Sequence, residues 1–347
     1  MALWVVRSGR FNEDEENFFA NNRIFIASDG LNKDLSKIKD KSNLRIFLQE
    51  HHPKFSGAKI SNRQGQLWAF VHGMKIGDWV ASPKKLGGIH IGEITGNYAY
   101  ENHAEGLSYH YRTVKWIEKN IPRTNFDQDI LSSLGGASTV FQVKRNDAEK
   151  RVREMQRHGW KSSAIKPSNS SENNLGEGDP DGTTIDLEEI ATDQITRMVY
   201  AKFKGHALEM LVDAILQAQG YVTYHSPKGP DGGADILASA GQLGFDHPRI
   251  CVQVKSQDSP LERPVLDQLV GTMQHVGADY GLLVCWGGFK KTIIDETRRL
   301  FFKVRLWDQS TLIRQFLSCY DKLDEEIKSL IPLKTVWVVT ASNDTEE

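Results

Sequence analysis

The chain has 347 residues, 39% hydrophobic and 25% charged, with 43 Lys and Arg against 45 Asp and Glu. That is ordinary globular composition, and at roughly 100–200 residues per domain it suits two domains. It has no apolar run near the ~18 residues a membrane span needs, no basic-then-apolar leader at Met1–Arg7, and three cysteines without a C-x-x-C pair. Neither a disulfide framework nor a structural zinc site is therefore suggested, and a soluble, cytoplasmic protein without a membrane partner is expected. No G-x-x-x-x-G-K-[ST] is present, so ATP is not an expected cofactor.

Charge is unevenly distributed. Residues 1–160 carry 24 basic and 18 acidic side chains, whereas 161–200 carry 3 and 8. The first block, 1–160, reads as mostly β: short apolar runs at 3–6, 23–27, 67–71, 79–81, 90–94 and 111–116 are separated by Gly, Asn, Asp and Pro. Helices are expected near 44–51 and 147–158. The stretch 161–190 begins KSSAIKPSNSSENNLGEGDPD, too poor in apolar groups to offset its ordering entropy, and is expected to be a flexible acidic linker. Residues 191–340 alternate helix and strand, an α/β pattern, and 341–347 form an acidic tail.

Within this second block, Leu208, Leu211, Val212, Ile215 and Leu216 follow the spacing of a half-buried helix, and Glu209 falls at the rim of its apolar stripe. The period of two across Ile250–Lys255 sets Ile250, Val252 and Val254 on one face and Cys251, Gln253 and Lys255 on the other. A hairpin through 241–248 would bring Asp235 beside Gln253 and Lys255. A carboxylate, an amide oxygen and an ammonium suit phosphodiester hydrolysis, which uses a hard cation with oxygen ligands and positive charge for the transition state.

The blocks FKGHALE (203–209), GPDGGADIL (229–237), CVQVKS (251–256) and GLLVCWGGF (281–289) occur in that order, and together they resemble the catalytic domain of Mrr-like restriction endonucleases of the PD-(D/E)XK superfamily. The resemblance implies a restriction-endonuclease-like α/β fold with a mixed central sheet. It implies an active site of Glu209, Asp235, Gln253 and Lys255, with Asp231 in support and Mg²⁺ or Mn²⁺ held by Asp235, Gln253 and Glu209. The wider superfamily often has Glu where Gln253 stands.

The N-terminal segments LWVVRSG (3–9), QLWAFVHGMKIGDWVASP (66–83), HIGEITGNYAY (90–100) and HYRTVKW (110–116) resemble PUA-like domains of the EVE and YTH kind. That resemblance implies a mostly-β PUA-like barrel holding a modified base, turned out of the duplex, in an aromatic pocket. Candidate walls are Trp4, Trp68, Trp79, Tyr98, Tyr100 and Trp116, although strand aromatics are more often core. For phosphate contact, Lys290 and Lys291 follow a Gly-Gly turn at a helix start, while Lys150, Arg153 and Arg157 share one face of the helix before the linker. Interleaved Asp147, Glu149 and Glu154 favour a solvated face for the latter set.

The expected function is modification-dependent restriction of phage or other foreign double-stranded DNA, by a homodimer because each chain carries one nuclease site. The alternatives are a non-catalytic reader of modified nucleic acid and a nuclease for unmodified or branched DNA.

Overall fold

The computed structural model describes residues 1–9, 13–26, 31–84, 87–101, 110–136, 138–161, 186–226 and 233–337. The described residues divide into two compact units, with the division between Gln194 and Ile195. Among the described residues no helix is long and apolar enough to cross a membrane.

The first unit runs β1 (Leu3–Val6), α1 (Glu15–Ala20), β2 (Arg23–Phe25), α2 (Lys41–His51), α3 (Gly57–Trp68), β3 (Trp79–Pro83), β4 (Ile89–Ile94), β5 (Ala99–Tyr100), β6 (His110–Ile121), α4 (Gln128–Leu134), β7 (Val140–Val143) and α5 (Ala148–Arg157). Its seven strands form a mostly-β half-barrel in the order β2-β6-β4-β3-β1-β7, with β5 on β6. Apolar layers cover both faces, which is why Leu3-Trp4-Val5-Val6 is buried at every position instead of alternating with polar residues. Leu3 and Val5 join Trp79, Ile91 and Val152, while Trp4 and Val6 join Phe70, Val80 and Val114.

One expected strand is a helix. Residues 67–71 end α3 and enter a π-helical turn, Ala69–Gly73. Ile60, Gln64, Leu67 and Val71 are buried at intervals of four, three and four, so the helical period wins over the β propensity of Trp68 and Phe70.

The helix α6 (Leu187–Lys202) begins inside the stretch read as linker. Its opening turns belong to the first unit: the Arg123 guanidinium, buried, grips Asp193 through Nε (2.5 Å) and a terminal nitrogen (2.6 Å) and also reaches Glu189 (2.8 Å). Arg7 meets the other Glu189 oxygen at 2.9 Å. Asp186 N–H donates to Gly135 O, and Trp160 packs on the same unit's core. Both described flanks of 162–185 thus lie on the first unit, and the division between the units falls within α6.

The second unit continues with α7 (Ala207–Ala218), β8 (Val222–His225), β9 (Ile236–Ala240), β10 (Asp246–Lys255), α8 (Arg263–Val276), β11 (Tyr280–Cys285), α9 (Lys291–Arg299), β12 (Val304–Asp308), α10 (Gln309–Cys319) and α11 (Glu325–Leu330). The sheet order is β12-β11-β10-β9-β8, parallel from β10 to β12 and antiparallel from β8 to β10, a mixed sheet. Val252, Val254, Leu282 and Val284 face α7 and α10; Cys251, Leu283 and Cys285 face α8 and α9. The alternation expected for Ile250–Lys255 is that of the strand.

Candidate active site

The β9–β10 register pairs Ile236 with Val252, which leaves Asp235 one step beyond the ladder, at the sheet edge where β10 ends. Asp235 N–H donates to Val252 O (2.9 Å), and its Oδ2 accepts the Val254 N–H (2.6 Å). The Lys255 Nζ lies 3.8 Å from the same oxygen. The hairpin therefore brings together the carboxylate and ammonium that stand 20 positions apart in the chain.

Gln253, on the same face of β10 as Lys255, is 2% exposed, and its Oε1 has no hydrogen-bond partner. A buried amide oxygen left unpaired costs ~1–3 kcal/mol, so its retention calls for an explanation. Glu209 lies in the first turn of α7. Its Oε2 meets His206 Nδ1 at 2.7 Å and stands 3.8 Å from His225 Nε2. Burial pushes the Asp235 carboxyl above the ordinary carboxylate range and the Glu209 charge adds to that, outweighing the Val254 N–H, Lys255 and His225. The Glu209 charge thus acts on the Asp235 carboxyl across the site.

No group of three or more His, Cys, Asp or Glu among the described residues is disposed to hold a metal ion. The donor set is instead mixed: the Asp235 carboxylate, the partnerless Gln253 carbonyl and the Glu209 carboxylate are all hard oxygens, the type that Mg²⁺ and Mn²⁺ take. Asp231 lies outside the described residues.

The segment following Lys255 is anchored firmly. Trp286 N–H donates to Lys255 O (3.1 Å), Gly287 N–H to Gln257 O (2.9 Å), and the Tyr200 hydroxyl to Asp258 (2.8 Å). Because β10 and β11 are parallel with Lys255 opposite Cys285, the turn leading to Lys290 and Lys291 leaves from the same sheet edge. Lys290 Nζ is paired with Glu262 (2.5 Å), and Lys291 is exposed at the start of α9. On α5, Arg153 is engaged by Glu149, donates to Gly77 O (3.3 Å) and lies over the Trp79 ring; Arg157 pairs with Glu154, and Lys150 is exposed.

The aromatic candidates separate into different places. Trp4 and Trp79 are 6% and 4% exposed and belong to the two opposite cores of the first unit, with Trp4 Nε1 donating to Asp78 (3.0 Å). The Tyr98 hydroxyl donates to His110 Nδ1 (2.7 Å) and accepts the Leu35 N–H (3.2 Å), and Tyr100 lies against the His110 ring. Trp68 lies against His72, and Trp116 meets Phe19 edge-on at 5.0 Å beside His90. Trp68, Tyr100 and Trp116 are half-buried.

His206 and His225 were not singled out from sequence. His206 stands three residues before Glu209, a spacing that signals a helix-start contact, whereas His225 ends β8, whose mixed Val222-Thr223-Tyr224-His225 run carries no strand signal.

Residues 200–316 match the restriction endonuclease family model Mrr_cat. The second unit carries an Mrr-type restriction endonuclease domain. Residues 4–143 match a domain of unknown function, DUF8426. No curated protein matches the chain. Solved structures similar to this chain include the DNA modification-dependent restriction endonuclease AspBHI, with 13% identity and a TM-score of 0.33 over 80% of this chain and 75% of that one. Another is the MspJI restriction endonuclease in complex with a 27-mer oligonucleotide, with 15% identity and a TM-score of 0.31 over 95% of this chain and 80% of that one.

Proposed function

We propose that the chain is a modification-dependent DNA endonuclease, restricting phage or other foreign DNA through a divalent-cation-assisted hydrolysis at Asp235, Gln253, Lys255 and Glu209. The observation that carries the reading is the buried, partnerless Gln253 Oε1 on the strand that also supplies Lys255, with Asp235 fastened beside that strand by the Val254 N–H. Asp235, Gln253 and Glu209 would hold Mg²⁺ or Mn²⁺. Such a cation, when bound, lowers the pKa of water and neutralises charge on the phosphate. Lys255 supplies positive charge to the phosphoryl oxygens as the bond from water to phosphorus forms and that to the leaving sugar oxygen breaks. Lys291, exposed at the same sheet edge, contacts the DNA backbone.

The first unit reads the altered base. Its resemblance to PUA-like domains supports this role, and Trp68, Tyr98, Tyr100 and Trp116, half-buried, are the aromatic candidates outside the fully buried cores.

The test is cleavage with Mg²⁺ of matched duplexes that are unmodified or contain N6-methyladenine, 5-methylcytosine or 5-hydroxymethylcytosine, beside Asp235→Ala and Lys255→Ala. Cutting confined to one modified duplex and lost in both variants is expected. Equal cutting of all duplexes would remove the reader role, and binding without cutting would make the chain a non-catalytic reader.

A further inference from the structure

We infer that His206, which contacts one oxygen of Glu209, and His225, which stands beside the same oxygen, are positioning residues that orient its carboxylate toward the cation; this rests on the metal-dependent reading of the site. The two imidazoles come from different elements, His206 from the turn opening α7 and His225 from the end of the edge strand β8. Their rings meet edge-on with centroids 5.6 Å apart; His206 Nδ1 is 2.7 Å from Glu209 Oε2 and His225 Nε2 is 3.8 Å from it. His225 Nε2 is buried and has no hydrogen-bond partner, and the neighbouring Ser226 N–H donates to Asp235 O (3.0 Å). The β8 end thus ties the histidine to the strand start that carries the other carboxylate. A helix-start contact accounts for His206 alone; it does not account for a second imidazole, from another element, brought to the same oxygen.

The chemical consequence follows from occupancy. With Oε2 engaged by His206 and His225 standing beside it, Oε1 is the oxygen left to face a cation. Groups that orient a ligand in this way typically contribute ~10–100-fold to metal affinity.

The experiment is titration of the full chain with Mn²⁺, read by the electron paramagnetic resonance signal of free Mn²⁺, with melting temperature recorded alongside. The double variant His206→Ala/His225→Ala is expected to bind Mn²⁺ about tenfold more weakly while melting within a few degrees of the parent. His206→Asn with His225→Gln, whose amides place an N–H near Nδ1 and Nε2, restores most of the affinity. In a Glu209→Ala background the histidine substitutions cost nothing further, because their effect passes through Glu209. Unchanged Mn²⁺ affinity in the double variant, or an equal loss with and without Glu209, overturns the inference while leaving the metal site standing. Mn²⁺ affinity indifferent to both Asp235→Ala and Glu209→Ala overturns the metal reading and this inference with it.

Discussion

Gln253 shows how one atom divides a structural from a functional account. Its oxygen is buried without a partner beside Asp235, in a place where a hydrophobic residue would cost less and a carboxylate more. Gln253→Glu adds a second negative charge there, and without metal the variant is expected to lose about 3 kcal/mol of stability. Millimolar Mg²⁺ recovers most of it, because a cation binding only the folded state stabilises it by mass action; urea melts with and without Mg²⁺ measure both. His110 gives the pH prediction. It is fully buried, Nε2–H donates to Leu31 O (2.9 Å), and burial holds its imidazole below the ordinary value of 6.5 despite that bond. The unfolded chain therefore takes up a proton that the folded one refuses. Stability is complete above pH 6.5 and declines as pH falls below it, and His110→Gln, which keeps a donor near Nε2, should flatten urea midpoints between pH 7 and 5.5.

Among the elements, one attachment holds the start of α6 on the first unit and another fixes the segment beside Lys255. α6 is fastened to the first unit by the Arg123–Asp193–Glu189 cluster. Asp193→Ala leaves a buried guanidinium short of its bidentate partner, and a loss of ~3–5 kcal/mol is expected in equilibrium unfolding. The segment following β10 depends on Gly287, where an added Cβ would collide with the Asp258 backbone. Gly287→Ala should shift that backbone and, with it, Lys255, lowering kcat at least tenfold while the chain stays folded by far-ultraviolet circular dichroism. The element forecasts from sequence succeed where one period dominates, as in α7 and β10, and fail at 67–71, where a five-residue apolar run fits strand and helix alike. Of the candidate site, Asp235 and Lys255 were legible because a hairpin and a period of two suffice to join them. The histidines on Glu209 were not, since no local pattern links the start of α7 to the end of β8.

For the molecule as a whole, the described residues of one chain supply one candidate set of nuclease residues, and the proposal is that cutting both strands of a duplex draws on two chains. Mixing parent with an excess of Lys255→Ala should make nicked circles accumulate from supercoiled plasmid, as dimers with one competent site cut one strand. Linear product in unchanged proportion would mean that a single chain cuts both strands in turn.

The alternation of helix and strand and the period of residues 250–255 determined by themselves that the second half is α/β, because these signals are local; its nuclease character and mixed sheet came from the resemblance carried by four short blocks in order. Only tertiary structure decided that 162–185 is flanked on both sides by the first unit, that Trp4 and Trp79 lie in opposite cores, and that two imidazoles converge on Glu209. Each of those outcomes depends on contacts between residues far apart in the chain, whose geometry is set by how sheets and helices pack and not by the residues' immediate neighbours.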